Sequence, residues 1–120
     1  MAKGNGLLTL DVAKKLVNPK PKRVKVPAWG CDVLLRQMTI PERISFISSI
    51  QQSDKPEMLM GIERMVDLLM LTVCDQSGKR VFDEDNRETL EAMDYRGLVQ
   101  VSNAAAQINA LSVEEAEGNS

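Results

Sequence analysis

The sequence predicts an α+β domain, mostly helical, with an N-terminal β-hairpin packed on a small bundle of three to four helices. Three observations carry that expectation. Two short runs rich in valine and leucine, 23–27 and 32–38, flank the turn Ala28-Trp29-Gly30-Cys31, the pattern of a hairpin. Thr39-Ile40-Pro41-Glu42 and Asp54-Lys55-Pro56-Glu57 both have the form of a capping box, in which the first side chain accepts from the fourth backbone N–H and the glutamate reaches back. Beyond each, apolar residues recur at three- and four-residue steps, the period of a helix face. A chain of 120 residues, 43% apolar and 27% charged, supports one modest core without disulfides or metals.

Taken in order, residues 7–17 carry Leu8, Val12 and Leu16 at i, i+4 and i+8, a short helix ended by Asn18-Pro19. The segment PKPKRVK then reads as an extended, solvated connector, so residues 1–21 form a helix and basic connector. In the second strand, Leu34 breaks the alternation and is expected to be covered on both faces or partly exposed. The helix opened by Thr39 presents Ile40, Ile44 and Ile47 on one face, widened by Phe46 and Ile50. A longer helix from about Lys55 to Cys74 faces inward through Met58, Ile62, Met65, Val66, Leu69 and Val73. Asp75 to Lys79 make a turn, and Arg80-Val81-Phe82 is a short strand or an extended anchor for Phe82. Asp83-Glu84-Asp85 opens an acidic helix whose inward residues are Leu90 and Met93. Asp94 caps the last helix, where Leu98, Val101, Ala105 and Ile108 face its long neighbour. The globular part spans 22–112, and residues 113–120 read as a mobile acidic tail, with no apolar face to order them.

Charge is unevenly placed. Seven of the 15 basic residues lie in residues 1–30, where Asp11 is the only acid, giving +6 there and −8 in the remainder for a total of −2. Histidine is absent, which removes the commonest general base, the commonest metal ligand and every Ser-His or Cys-His nucleophile, so the sequence argues against an enzyme. No run approaches the roughly 18 apolar residues of a membrane span. Cys31 and Cys74 lack CxxC spacing and suit reduced thiols. Asp75, Ser77, Asp83, Asp85 and Glu88 resemble calcium ligands, but Arg87-Glu88 or Lys79-Arg80 fall at loop positions 5 and 6, where an EF-hand needs an oxygen ligand and a glycine. Gly4-Asn5-Gly6 is no phosphate loop. No cofactor or metal is expected.

Two segments invite a binding role. Lys20, Lys22, Arg23 and Lys25 followed by Trp29 suit phosphate contacts and the stacking of one base, although the acidic body opposes nucleic acid, and a solvated connector explains the same residues. In the long helix four of the seven methionines, Met58, Met60, Met65 and Met70, fall close together, and Met60, Leu68 and Leu71 project outside its main face near Arg64 and Asp67. Such a helix is either buried between its neighbours or presents a second stripe that accepts an apolar segment of a partner or of another copy.

The landmarks, in order, are Val24 and Val26 before Pro27, Trp29-Gly30, Val33, Arg36, Thr39 and Glu42-Arg43. They continue with a helix ending at Cys74-Asp75, the Gly78 turn, Phe82 before an acidic helix, and Asn109-Ala110-Leu111-Ser112 before Glu114 and Glu115. Together they resemble the tail assembly chaperones of long-tailed, non-contractile bacteriophages over about residues 22–115, with Ala28 where an acidic residue is usual and Cys31 where glycine is common. The resemblance implies a protein of the host cytoplasm, absent from the mature virion. Such a protein binds the long helical tape measure protein, keeps it soluble and helps recruit tail tube subunits, often through a longer form made by programmed frameshifting beyond the tail. The partner-binding residues expected on this reading are Met58, Met60, Leu68 and Leu71, with Arg64 and Asp67 as a polar rim, and self-association is a further expectation. The alternative from another class is a small nucleic-acid-associated regulator using Lys20 to Lys25.

Overall fold

In the computed structural model, which describes residues 6–17, 20–51 and 57–111, the chain begins with α1, Leu10–Lys15. Thr9 caps it, its hydroxyl accepting from the Val12 N–H at 3.2 Å. Asp11 in the first turn and Lys14 and Lys15 in the last suit the helix dipole. The helix is shorter than 7–17, and its stripe of Leu8, Val12 and Leu16 is exposed, with no residue of α1 buried.

The hairpin follows: β1, Lys22–Val26, and β2, Cys31–Leu35, pair antiparallel with Val26 opposite Cys31 and Lys22 opposite Leu35. Pro27–Trp29 form a single 3-10 turn closed by Gly30 at φ 68°, a left-handed conformation that glycine adopts without a Cβ penalty. Val26, Val33 and Leu35 are buried, while Leu34 is half-buried and pairs with Cys74 in a third strand, β3, Val73–Cys74. The sheet order is β1-β2-β3, with β3 formed by the two residues expected to end the long helix. Asp75 turns the chain through bonds from its Oδ1 to the N–H of Ser77 and Lys79 and to the Ser77 hydroxyl, and Gly78 takes φ 86°. Arg80 bridges back to Cys74, and Phe82 is buried.

The helices are α2, Ile40–Gln51; α3, Glu57–Thr72; α4, Arg87–Glu91; and α5, Tyr95–Ile108. The first capping box forms as expected: the Thr39 hydroxyl accepts from the Glu42 N–H at 3.2 Å, and the Glu42 carboxylate accepts from the Thr39 N–H at 2.8 Å. The second, at Asp54 to Glu57, lies largely outside the described residues, as does the 113–120 tail. Asp83 forms a further reciprocal box with Asn86 around a 3-10 turn ahead of α4. Asp94 caps α5 by accepting from the Arg96 N–H at 2.8 Å. The carboxylates that resembled calcium ligands at Asp75 and Asp83 are therefore occupied by local backbone donors.

The face of α2 differs from the expected one. Ile40 is 75% exposed and Ile44 61%, while Phe46, a quarter-turn or more away, is 2% exposed and provides the inward contact. The isoleucine period marks a helix but does not choose its side, and the larger aromatic takes the core. α3 lies at the centre, with Val66, Leu68, Leu69 and Met70 buried and α2, α4 and α5 packed around it. Leu98, Val101 and Ala105 of α5 are buried as expected, against α3 and the hairpin.

The joint between hairpin and α5 is the tightest in the fold. The Trp29 indole lies over Gly97 so closely that a Cβ there would fall within its ring, and its Nε1–H donates to the Asp94 carbonyl at 3.0 Å. Gly97→Ala should therefore destabilise by about 2–3 kcal/mol through overpacking, roughly 10 °C in Tm. Gly61→Ala, on α3 where nothing lies within 4 Å of a Cβ, should instead stabilise by about 1 kcal/mol through helix propensity. Thermal melts followed by circular dichroism check both signs.

Candidate functional site

The seam where α2 and α4 flank α3 holds two of the expected partner-binding residues. Asp67 and Leu71 line a cleft together with Phe46, Ser45 and Ser49 of α2, Met70 of α3, and Arg80 and Arg87. Leu71 is half-buried and packs on the core. Asp67 accepts from Arg87 Nη1 at 2.8 Å, and Arg87 also bonds Glu91 at 3.2 Å. Burial alone would lower the Arg87 pKa, but the hydrogen bonds and charges of Asp67 and Glu91 outweigh it and raise it. Arg80 donates to the Met70 carbonyl at 2.6 Å, close to the C-terminal end of α3 where cations are favoured. The cleft is thus an apolar floor of Phe46, Met70 and Leu71 with paired charges at its lip.

The other expected residues are placed differently. Leu68 is 1% exposed and belongs to the core, because helices or strands cover α3 on both its apolar sides at this level. Arg64 is 4% exposed, so it is not part of a solvent rim. Met58 and Met60 lie in the first turn of α3, and their side chains fall outside the described residues. Sequence reasoning passed over Phe46, Met70, Arg80 and Arg87. Phe46 was named only as a widening of the isoleucine stripe, and the Arg87–Asp67 contact joins residues far apart in sequence.

A second site of order joins α2 to the end of α5. Arg43 Nη1 donates to the Asn109 carbonyl at 2.6 Å, supplying the positive charge that a helix C-terminus favours. The Asn109 side chain is buried; its Oδ1 accepts from the Met38 N–H at 2.6 Å and its Nδ2 donates to Ala105 at 2.9 Å. Next to this joint Arg36 Nη2 bonds Glu42 at 2.7 Å. Burial pushes the Glu42 carboxyl up, but hydrogen bonds from Arg36 and the Thr39 backbone, with the Arg36 charge, outweigh it and hold the group below its usual value of 4.5.

The basic segment is less available for nucleic acid than its sequence indicates. Trp29 is half-buried over α5 with its indole N–H occupied, so its ring does not stand free to stack a base. Arg23 bonds Asp32 at 2.8 Å. Lys20 lines a groove with Leu16 and Val17 on one side and Arg36, Met38, Ile40 and Lys79 on the other. Cys31 is exposed and Cys74 buried, both as free thiols, and burial raises the Cys74 pKa. Among the described residues no group of three or more potential metal ligands converges, and no helix is long and apolar enough to cross a membrane.

Among the described residues, then, a hairpin packed on a helical bundle carries an apolar cleft with charge-paired lips. The comparisons specify the class. The sequence pattern of the phage tail assembly chaperones matches residues 11–118, and the chain belongs to that family. Its fold is similar to that of the bacteriophage HK97 tail assembly chaperone, with a TM-score of 0.57 and 24% identity over 82% of this chain and 99% of that one. No curated protein matches the chain.

Because the Glu42 pKa is lower folded than unfolded, its contribution to stability is present above the unfolded value of about 4.5 and is lost as pH falls through the folded value. Urea titrations of the wild type and Glu42→Gln should show the variant less stable at neutral pH. The difference should shrink steadily below pH 4.5; a difference constant from pH 7 to 3 would remove Glu42 from the acid response.

Proposed function

We propose that this chain binds the tape measure protein of its phage in the host cytoplasm, keeps it soluble and helps recruit tail tube subunits, and is left out of the mature virion. The reading rests on membership of the phage tail assembly chaperone family. The observations that support it on this chain are the exposed apolar side chains Ile40 and Ile44 of α2 and the cleft between α2 and α3 floored by Phe46, Met70 and Leu71. A long helical client has repeating apolar stripes, and such stripes fit a groove between helices by helix-in-groove docking. Met58 and Met60 are further client contacts in this proposal, since thioethers adapt to varied partners. A frameshift-extended form joined beyond the acidic tail would bring tube subunits to the same client.

Tagged protein retained from phage-producing cells should carry a very long helical protein and a tail tube protein, with bait peptides extending past Ser120 when mass spectrometry covers its C-terminus. Recovery of nucleic acid without tail proteins would overturn the reading. Ile44→Glu, at a side chain 61% exposed, should leave the circular dichroism spectrum unchanged and cut retention at least tenfold. Leu71→Glu should do the same for the cleft; undiminished retention by both folded variants would move the binding surface elsewhere.

A further inference from the structure

α3 contains a buried cation with an unsatisfied donor. Arg64 is 4% exposed, and among the described residues its Nη1 has no hydrogen-bond partner. The carboxylate whose charge it feels is that of Asp67, which is committed to Arg87 at 2.8 Å. Burial accordingly pulls the Arg64 pKa down, with Asp67 opposing only in part. The positions one and two turns along the same face are apolar: Leu68 at i+4 and Leu71 at i+7. A buried guanidinium with an orphan donor is destabilising, and replacing such a charge by a well-packed apolar side chain is often neutral or stabilising. Its retention is therefore not explained by stability.

One neighbouring position is open. Gly61, at i−3 on the adjoining part of the face, has nothing within 4 Å of where a Cβ would stand. Side chains of a helix lean toward its N-terminus, so Arg64 leans toward this open position.

We infer that Arg64 is a specificity anchor that receives one carboxylate, from an aspartate or glutamate set within an apolar stripe of a partner helix, through the gap at Gly61. The inference rests on the proposed chaperone reading for the identity of that partner. The chemistry comes from Arg64 itself: one orphan donor and one cation among apolar neighbours match a single carboxylate. A phosphate would bring more charge and more oxygens than the site satisfies. The carboxylate gains a charge-assisted bond and the arginine recovers the partner it lacks, so the apolar contact of the seam becomes selective for stripes that carry an acid at the right place.

The test uses the full chain and 25-residue peptides tiled across the tape measure protein of the same phage, with binding followed by fluorescence anisotropy. Arg64→Met should melt at or above the wild-type temperature and bind the best peptide at least tenfold more weakly. Replacing that peptide's acidic residues in turn by their amides should identify one whose loss weakens binding to wild type tenfold but leaves binding to Arg64→Met unchanged, the signature of a coupled pair. Gly61→Leu, which fills the gap and keeps Arg64, should weaken binding with the melting temperature retained. Unaltered binding by a folded Arg64→Met, or additive effects in the cycle, would overturn the assignment while wild-type binding upheld the chaperone reading. An Arg64→Met chain that fails to fold would show the arginine to be structural and also overturn it. If no peptide and no intact tape measure protein binds wild type, both proposals fall together.

Discussion

The stacking of Trp29 on Gly97 is the contact on which the arrangement of the chain depends. A two-stranded hairpin is marginal in water, and the third strand here is only two residues long, so the sheet must be held by a helix. Trp29 provides that hold at the turn of the hairpin, where its ring lies on the first turn of α5 and its N–H reaches the Asp94 carbonyl. Asp94 thereby serves two elements: its side chain caps α5 while its carbonyl receives the indole. The start of the helix and the register of the hairpin are fixed by the same residue. Gly97 accepts the helix-propensity penalty of about 1 kcal/mol so that the ring can approach the backbone. Without a glycine there, Val26 and Leu35 would be held off α5 and the buried face of the sheet would open.

The opposite end of α5 is fastened by a different chemistry. Asn109 and Arg43 use hydrogen bonds to backbone groups, joining the exit of α5 to the residues that lead into α2. α2 is thus secured at its first turn by Thr39, Glu42 and Arg43, and further along by Phe46. Ile40 and Ile44 remain outside that attachment. Ile47 packs on the core beside Phe46, so one side of the helix is attached and the other is left to solvent at Ile40 and Ile44. The rigid frame and the adaptable seam are consequences of one distribution of fastening points.

Much of this was legible in the sequence because local signals and tertiary structure agree. The Thr39 box, the Asp94 cap and the buried stripe of α5 depend on spacing alone and formed at their expected places; the hairpin formed too, but one residue earlier, with Pro27 in the turn, Cys31 in β2 and the second strand ending at Leu35 rather than Met38. The errors lie where a pattern has two solutions. Ile40, Ile44 and Ile47 fit one buried face, yet Ile47 alone of the three packs on the core, beside Phe46, while Ile40 and Ile44 are exposed. In α3, apolar residues on both sides made Leu68 look like excess surface, but a central helix has no far side, and Leu68 is core. Gly97 was unremarkable as a glycine in a helix; its meaning lies in a tryptophan in a distant part of the chain. Arg64 was read as a rim because arginine is seldom buried, which is the general rule and was not the case here.

These misreadings bear on function because local rules are most often broken where a sequence serves something besides its own stability. The fold departs from them twice, with isoleucines in water on α2 and, inside α3, a buried guanidinium whose Nη1 has no partner among the described residues. Each taken singly has an ordinary explanation, since exposed apolar residues are common and an occasional orphan donor is tolerated. Their opposite character makes the ordinary explanation weaker. A surface that only excluded water would have no use for a buried guanidinium, and a structural ion pair would have supplied the second ion. Apolar area without charge binds many helices about equally, and a lone cation binds few of anything. On the proposed reading, the apolar seam supplies the affinity and the single desolvated charge supplies the discrimination, at an energy the rest of the core must offset.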